Sequence, residues 1–178
     1  MRAPLLPGRI LPNVTLLATN GSKVCLATRP GRSVVAIYPW TGRPGHPNPP
    51  DWDNIPGAHG STPELEGFRD LFDEFAKRGI AIYGLSNQTT EYQREMVERL
   101  RLPFPILSDA HGRFGGGLVL PTFATGGETY LRRLTLVVVN GRVERVFYPE
   151  LEPALHAGEV LAWFAHSPSA SSFASSTE

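Results

Sequence analysis

The 178-residue chain carries a single cysteine, Cys25, and that scarcity excludes a good deal. One thiol cannot close an intramolecular disulfide, so neither a stapled secreted fold nor redox cycling by a cysteine pair within one chain is available. Net charge is missing too. Seventeen Lys and Arg balance seventeen Asp and Glu, which leaves no electrostatic footprint for nucleic acid or an anionic membrane and favours a small neutral partner. No stretch approaches the roughly 18 apolar residues of a membrane span, and Met1–Gly8 lacks the continuous apolar run of a signal peptide. A cytoplasmic protein is expected.

What is present suffices for one domain. With 41% hydrophobic residues, the chain can bury a substantial core over residues 1–166, while 167–178 is a Ser/Ala tail with little to bury and is expected to be mobile. Val14–Leu17 and Lys23–Leu26 flank Asn20-Gly21, and 134–139 and 142–148 flank Asn140-Gly141, two pairs suited to the positive φ angles of tight hairpins. Ser33–Tyr38 is almost wholly apolar and β-branched, as in a strand covered on both faces. Residues 41–60, rich in Pro, Gly, Asp and Asn, form a long loop.

Leu65, Phe68, Leu71, Phe72, Phe75 and Ala76 recur at helical spacing, predicting one helix from Ser61 to Arg78 closed near Gly79. Ile80–Leu85 reads as the next strand, and Thr90-Glu91-Tyr92-Gln93 as a capping box opening a helix to about Leu100. A last helix is expected over Ala157–Ala165. Alternating strands and helices followed by a hairpin and a helix give an α/β fold, a mixed central sheet covered by helices on both faces.

Tyr38-Pro39-Trp40-Thr41-Gly42, Ile55-Pro56-Gly57-Ala58-His59-Gly60-Ser61-Thr62-Pro63-Glu64 and Gly67-Phe68-Arg69-Asp70 together resemble the active-site segment of the peroxiredoxins, in the alkyl hydroperoxide reductase / thiol-specific antioxidant branch near the bacterioferritin-comigratory type. The resemblance covers roughly residues 8–165 and implies a thioredoxin-like fold with an N-terminal hairpin. In that family a Gly-Cys-Thr-Pro run opens a helix and its cysteine attacks hydroperoxides. Here that position is Ser61, the resolving-cysteine position is Glu66, and Ala58 stands where the family has threonine. Arg133-Leu134-Thr135 is similar to the family's Arg-x-Thr strand, which aims a guanidinium at the peroxide. By the same resemblance Pro39, Trp40, Ala58, His59, Gly60, Thr62 and Glu66 would line the pocket.

A serine cannot pass through the sulfenic acid of the peroxidatic cycle, and a helix dipole worth ~0.3 to 1 kcal/mol does not make its hydroxyl a thiolate. The leading reading is therefore a peroxiredoxin-like protein without its thiols, a binding or regulatory module or the bearer of some cysteine-independent chemistry. A small anion or peroxide-like ligand is expected between Ser61 and Arg133, with Pro39 and Trp40 as walls. An Arg133 closed by Glu64 or Glu66 would instead be structural. The rival is a thiol peroxidase whose cysteine Ser61 replaces, turned over by a thioredoxin-type reductant. A third reading is a structural subunit of a homodimer.

Smaller readings attach to single residues. Ser61-Thr62-Pro63-Glu64 is itself a capping box, and a nucleophilic Ser61 would need a base, for which His59 is nearest in sequence. His46, His59 and His111, with Asp51, Asp53, Glu64 and Glu66, match no metal signature, so no metal and no cofactor is expected. Gly115-Gly116-Gly117 lacks the Gly-Lys-Ser/Thr ending of a phosphate loop. Cys25 should pack as a small hydrophobe in its strand. Tyr38, Trp40, Trp52 and Phe123 are candidates for a pocket wall, the core or a dimer face.

Overall fold

The computed structural model describes residues 7–150 and 152–166, so the Ser/Ala tail lies outside the described residues. In chain order the strands and helices are β1 (Thr15–Ala18), β2 (Lys23–Cys25), β3 (Arg32–Ile37), α1 (Ser61–Asp70), α2 (Phe72–Lys77), β4 (Ile80–Ser86) and α3 (Thr90–Leu100). They continue as β5 (Ile106–Ser108), α4 (Arg113–Leu118), β6 (Thr122–Thr125), β7 (Glu128–Leu131), β8 (Leu134–Val139), β9 (Arg142–Phe147) and α5 (Pro153–Ala165). Seven strands form one mixed sheet in the order β2-β1-β5-β4-β3-β8-β9, and β6 and β7 form a separate hairpin.

The apolar run at 33–38 becomes β3, paired parallel with β4 and antiparallel with β8. It is buried on both faces because strand side chains alternate. Val34 and Ala36 join Phe68, Phe75, Met96 and Phe164 in the layer under α1, α2, α3 and α5. Val35 and Ile37 join Leu107, Phe114, Leu118 and Leu136 in the opposite layer, roofed by α4. Each fully buried Val, Leu or Phe contributes about 1.5–3 kcal/mol of transfer free energy.

Several local readings need correction. The helix expected as one piece over Ser61–Arg78 bends at Leu71, where φ is −102° and ψ is 7°. The bend lets Phe72 stack on Phe104 while Phe68 and Phe75 stay packed together in the core. Asn140 and Gly141 both adopt positive φ, 48° and 76°, so the second hairpin has the two-residue turn that the pair predicts. In the first hairpin only Gly21 does; the Gly21 N–H donates to Ala18 O and the Ala18 N–H to Ser22 O, which makes a longer loop. The cap of α3 is Thr89, whose hydroxyl accepts from the Tyr92 N–H. Gln93, read as part of the capping box, is buried and donates instead to Ser86 Oγ and Leu107 O. The β6–β7 hairpin, turning at Gly126-Gly127, was not foreseen, and α5 begins at Pro153, a favoured first helical residue.

Trp52 anchors the long 41–60 loop. It is buried, with ring centroids 5.4 Å from Trp40, 5.6 Å from Phe123 and 5.2 Å from Tyr130. Three of the four aromatic candidates thus pin the loop to the β6–β7 hairpin, while Tyr38 lies wholly in the core. Cys25 is half-buried on edge strand β2, and its thiol donates to Asn13 Oδ1 at 3.3 Å. It is not the enclosed small hydrophobe that the sequence suggested.

Candidate active site at the start of α1

Gly60 sets the entry to α1. Its φ of 107° favours glycine, and a Cβ there would sit 2.7 Å from Pro153 Cγ at the start of α5. With Gly60 outside the helix, Ser61 is the first helical residue, and no side chain among the described residues caps α1. The capping box expected of Ser61 and Glu64 is therefore absent, because both side chains turn to Arg133.

Arg133 lies between β7 and β8, 3% exposed. Its Nη2 faces four acceptors: Gly57 O and Ala58 O at 3.3 Å, His59 O at 3.1 Å and Ser61 Oγ at 3.0 Å. The 57–60 turn thus directs three carbonyls at one guanidinium, which clamps the turn and aims the hydroxyl of Ser61. Arg133 Nη1 is 3.4 Å from Glu64 Oε1, and both side chains are buried. That separation is an ion pair without a hydrogen bond, and neither Glu64 oxygen has a hydrogen-bond partner among the described residues. Burial pushes the Glu64 carboxyl up to about 7, against the attraction of Arg133.

The guanidinium does point at the first turn of α1, as expected. The expected gap between Ser61 and Arg133 is closed, since the two are directly hydrogen-bonded and Glu64 covers the next nitrogen. Ser61, Arg133 and Glu64 themselves fill the space between them. The open space lies on the outer side of Ser61, a pocket of about 330 Å³ lined by Trp40, Thr41, Arg43, Ser61, Thr62 and Arg99. Ala58, His59 and Gly60 also border it. Pro39 does not: it borders a neighbouring cavity with Asn87 and Gln88. Glu66 is turned away, half-exposed and paired with Arg69 one turn on.

Nothing here activates Ser61 as a nucleophile. The His59 ring, exposed, pairs with Asp53 rather than Ser61, so the serine has no base among the described residues. Of the metal candidates in this loop and turn, Glu64, Glu66, His59 and Asp53 are thus engaged with protein partners.

A second buried cluster went unread in the sequence. His156 on α5 is fully buried, packed edge-on against Phe68 and Phe147, with Nε2 2.7 Å from Thr135 Oγ1 and Nδ1 2.7 Å from Glu150 Oε2. Burial pulls its pKa down from the ordinary value. The signal was there: His156, Val160 and Phe164 form one buried stripe at spacing four, so His156 was a core histidine in need of partners.

Comparison with known proteins agrees with this architecture. The AhpC/TSA family model matches residues 55–145. The chain is 30% identical over 158 residues to putative chloroplastic peroxiredoxin Q of Oryza sativa subsp. indica, covering 86% of this chain and 64% of that one. It is 24% identical over 160 residues to putative peroxiredoxin bcp of Coxiella burnetii, covering 86% and 95%. The crystal structure of peroxidoxin BcpB from Mycobacterium tuberculosis superposes with TM-score 0.73 at 25% identity, over 92% of this chain and 98% of that one. A cysteine-to-serine mutant of Xylella fastidiosa PrxQ also superposes with TM-score 0.73, at 18% identity over 92% and 98%. The chain belongs to the AhpC/TSA family, as a peroxiredoxin of the peroxiredoxin Q and bacterioferritin-comigratory branch. It spans less than two thirds of the rice relative's length.

Proposed function

We propose that this chain is a peroxiredoxin-fold protein without a peroxidatic thiol, in which Ser61 occupies the position of the attacking cysteine, Arg133 is structural, and the pocket outside Ser61 serves to bind a small polar ligand. The observation that carries the reading is the direct hydrogen bond from Arg133 Nη2 to Ser61 Oγ at the first turn of α1. It is the contact a guanidinium would make to a thiolate, made here to an oxygen. The one sulfur that could substitute, Cys25, lies on the edge strand β2, five strand spacings from β8 in the sheet order, or roughly 24 Å. That is too far for it to act at this site.

Consumption of hydrogen peroxide and of an organic hydroperoxide, measured with dithiothreitol and with a thioredoxin system, tests the reading. No appreciable turnover is expected. Robust turnover that survives Cys25→Ala would overturn it, and turnover that vanishes with Cys25→Ala would make Cys25 the working thiol.

The second reading, a thiol peroxidase whose catalytic cysteine is replaced by Ser61, is favoured by the pocket beside Ser61 and the contact to Arg133. It is tested by Ser61→Cys in a Cys25→Ala background. The helix N-terminus and Arg133 should bring the new thiol below the ordinary value of about 8.5, read as alkylation rate against pH. Restored peroxide turnover would support the second reading. An unshifted or raised pKa would mean that the pair of Glu64 with Arg133 has dismantled the site.

A further inference from the structure

The cluster at the start of α5 is built from groups that ligate metals. His156 Nδ1, Glu150 Oε and Glu159 Oε all lie within 4.8 Å of one another. Nδ1 is 2.7 Å from Glu150 Oε2 and 3.6 Å from Glu159 Oε2, yet among the described residues it makes no hydrogen bond of acceptable geometry, although the ring is fully buried. The other ring nitrogen, Nε2, is held 2.7 Å from Thr135 Oγ1. A ligating imidazole is normally fixed in this way, through the nitrogen that does not bind the ion. The second oxygen of Glu150 accepts from the Glu152 N–H at 2.9 Å, which leaves Oε2 directed at the ring. With the proton on Nε2, one lone pair and two carboxylate oxygens face each other, an arrangement that repels itself unless a cation lies among them.

We propose that Glu150, His156 and Glu159 form a site for a divalent transition-metal ion, with Zn²⁺ the best fit. The donor set of one imidazole and two carboxylates, with no thiolate, suits Zn²⁺ better than Mg²⁺ or Ca²⁺, which take oxygen ligands and larger shells. Bonds of about 2.1 Å in a tetrahedral shell separate neighbouring ligand atoms by roughly 3.4 Å. Glu159 already stands at that span from Nδ1, and Glu150 needs to open by less than about 1 Å. Glu159 is half-exposed and Glu150 nearly enclosed, so the ion enters from the Glu159 side and can keep a water as its fourth ligand. His156 and Glu159 share a face of α5 one turn apart, and Glu150 precedes the helix. The ion would therefore tie the β9–α5 connection to α5. The proposal is independent of what occupies the pocket at Ser61.

The test uses the full chain with Cys25→Ala, freed of metal with a chelator and titrated with Zn²⁺ by calorimetry, with bound metal counted by elemental analysis and melting followed in parallel. One Zn²⁺ per chain is expected, with a rise in melting temperature. Glu159→Gln, at a half-exposed position where the fold tolerates the change, should weaken Zn²⁺ by about 10-fold or more and abolish the thermal shift. Glu98→Gln, at an exposed carboxylate of α3, should leave both unchanged. Absence of saturable binding, or binding that Glu159→Gln leaves intact, overturns the proposal and makes His156 Nδ1 a plain donor to Glu150.

Discussion

Arg32 grips Glu144 with two hydrogen bonds, at 2.5 and 3.1 Å, whereas Arg133 and Glu64 approach only to 3.4 Å with no hydrogen bond between them. Geometry is best where burial is least, since the first pair is 14% and 23% exposed and the second 2% and 0%. The reason lies in what else each arginine holds. Arg133 directs one nitrogen at three backbone carbonyls and Ser61, so its position is set by the entry to α1 and Glu64 takes what remains. The contact near the surface is therefore the better hydrogen bond, and the buried one is the more consequential charge. Desolvation makes each unpaired group in the interior expensive.

Arg133→Met breaks this comparison most severely. It should cost about 3–5 kcal/mol at pH 8, measured by urea unfolding, because it strands a buried carboxylate and releases the 57–60 turn. The cost should shrink toward pH 5 as Glu64 takes up a proton. A loss below about 1 kcal/mol at pH 8 would mean that Arg133 is not what holds this region together.

Glu64 predicts the pH dependence. Its folded-state value, about 7, lies above the ordinary 4.5, so the folded chain holds a proton that the unfolded chain releases. The contribution to stability is full below pH 4.5 and is lost as pH rises through 7. The wild type should lose about 3 kcal/mol across that window relative to Glu64→Gln, which cannot titrate. A constant difference between the two proteins from pH 4 to 8 would show that Glu64 is ionised throughout.

Ser61→Ala should cost about 1.5 kcal/mol, the low end for a hydrogen bond to a charged group, since three carbonyls continue to hold Arg133. An unchanged urea midpoint would make the Ser61 contact incidental. The smallest effect belongs to the better-looking pair. Arg32→Ala or Glu144→Gln should cost no more than about 1 kcal/mol, and less at 1 M salt. A cost matching that of Arg133→Met would collapse the distinction between the two pairs.

Local signals were legible where one residue decides its own conformation. Asn140-Gly141 places both residues in the left-handed region, so the hairpin turn followed from the pair, while a bulge between Val137 and Val138 shifts the register of β8 on β9. Asn20-Gly21 carries the same letters, yet only Gly21 goes left-handed, because Ala18 and Ser22 close a longer loop around it. Ser61 and Glu64 show the limit from the other side. Their spacing specifies a capping box, but a guanidinium from a segment some seventy residues away offered both side chains a better partner.

The alternation of strands and helices from β3 to α3, the two-faced burial of β3 and the presence of a single cysteine were determined by the sequence itself, through alternation, turn chemistry and composition. Which groups meet was decided only by the tertiary structure. Arg133 with Ser61 and Glu64, and His156 with Thr135 and Glu150, are drawn from distant elements, and a buried polar group takes its partner from whatever the packing of the sheet and helices sets beside it.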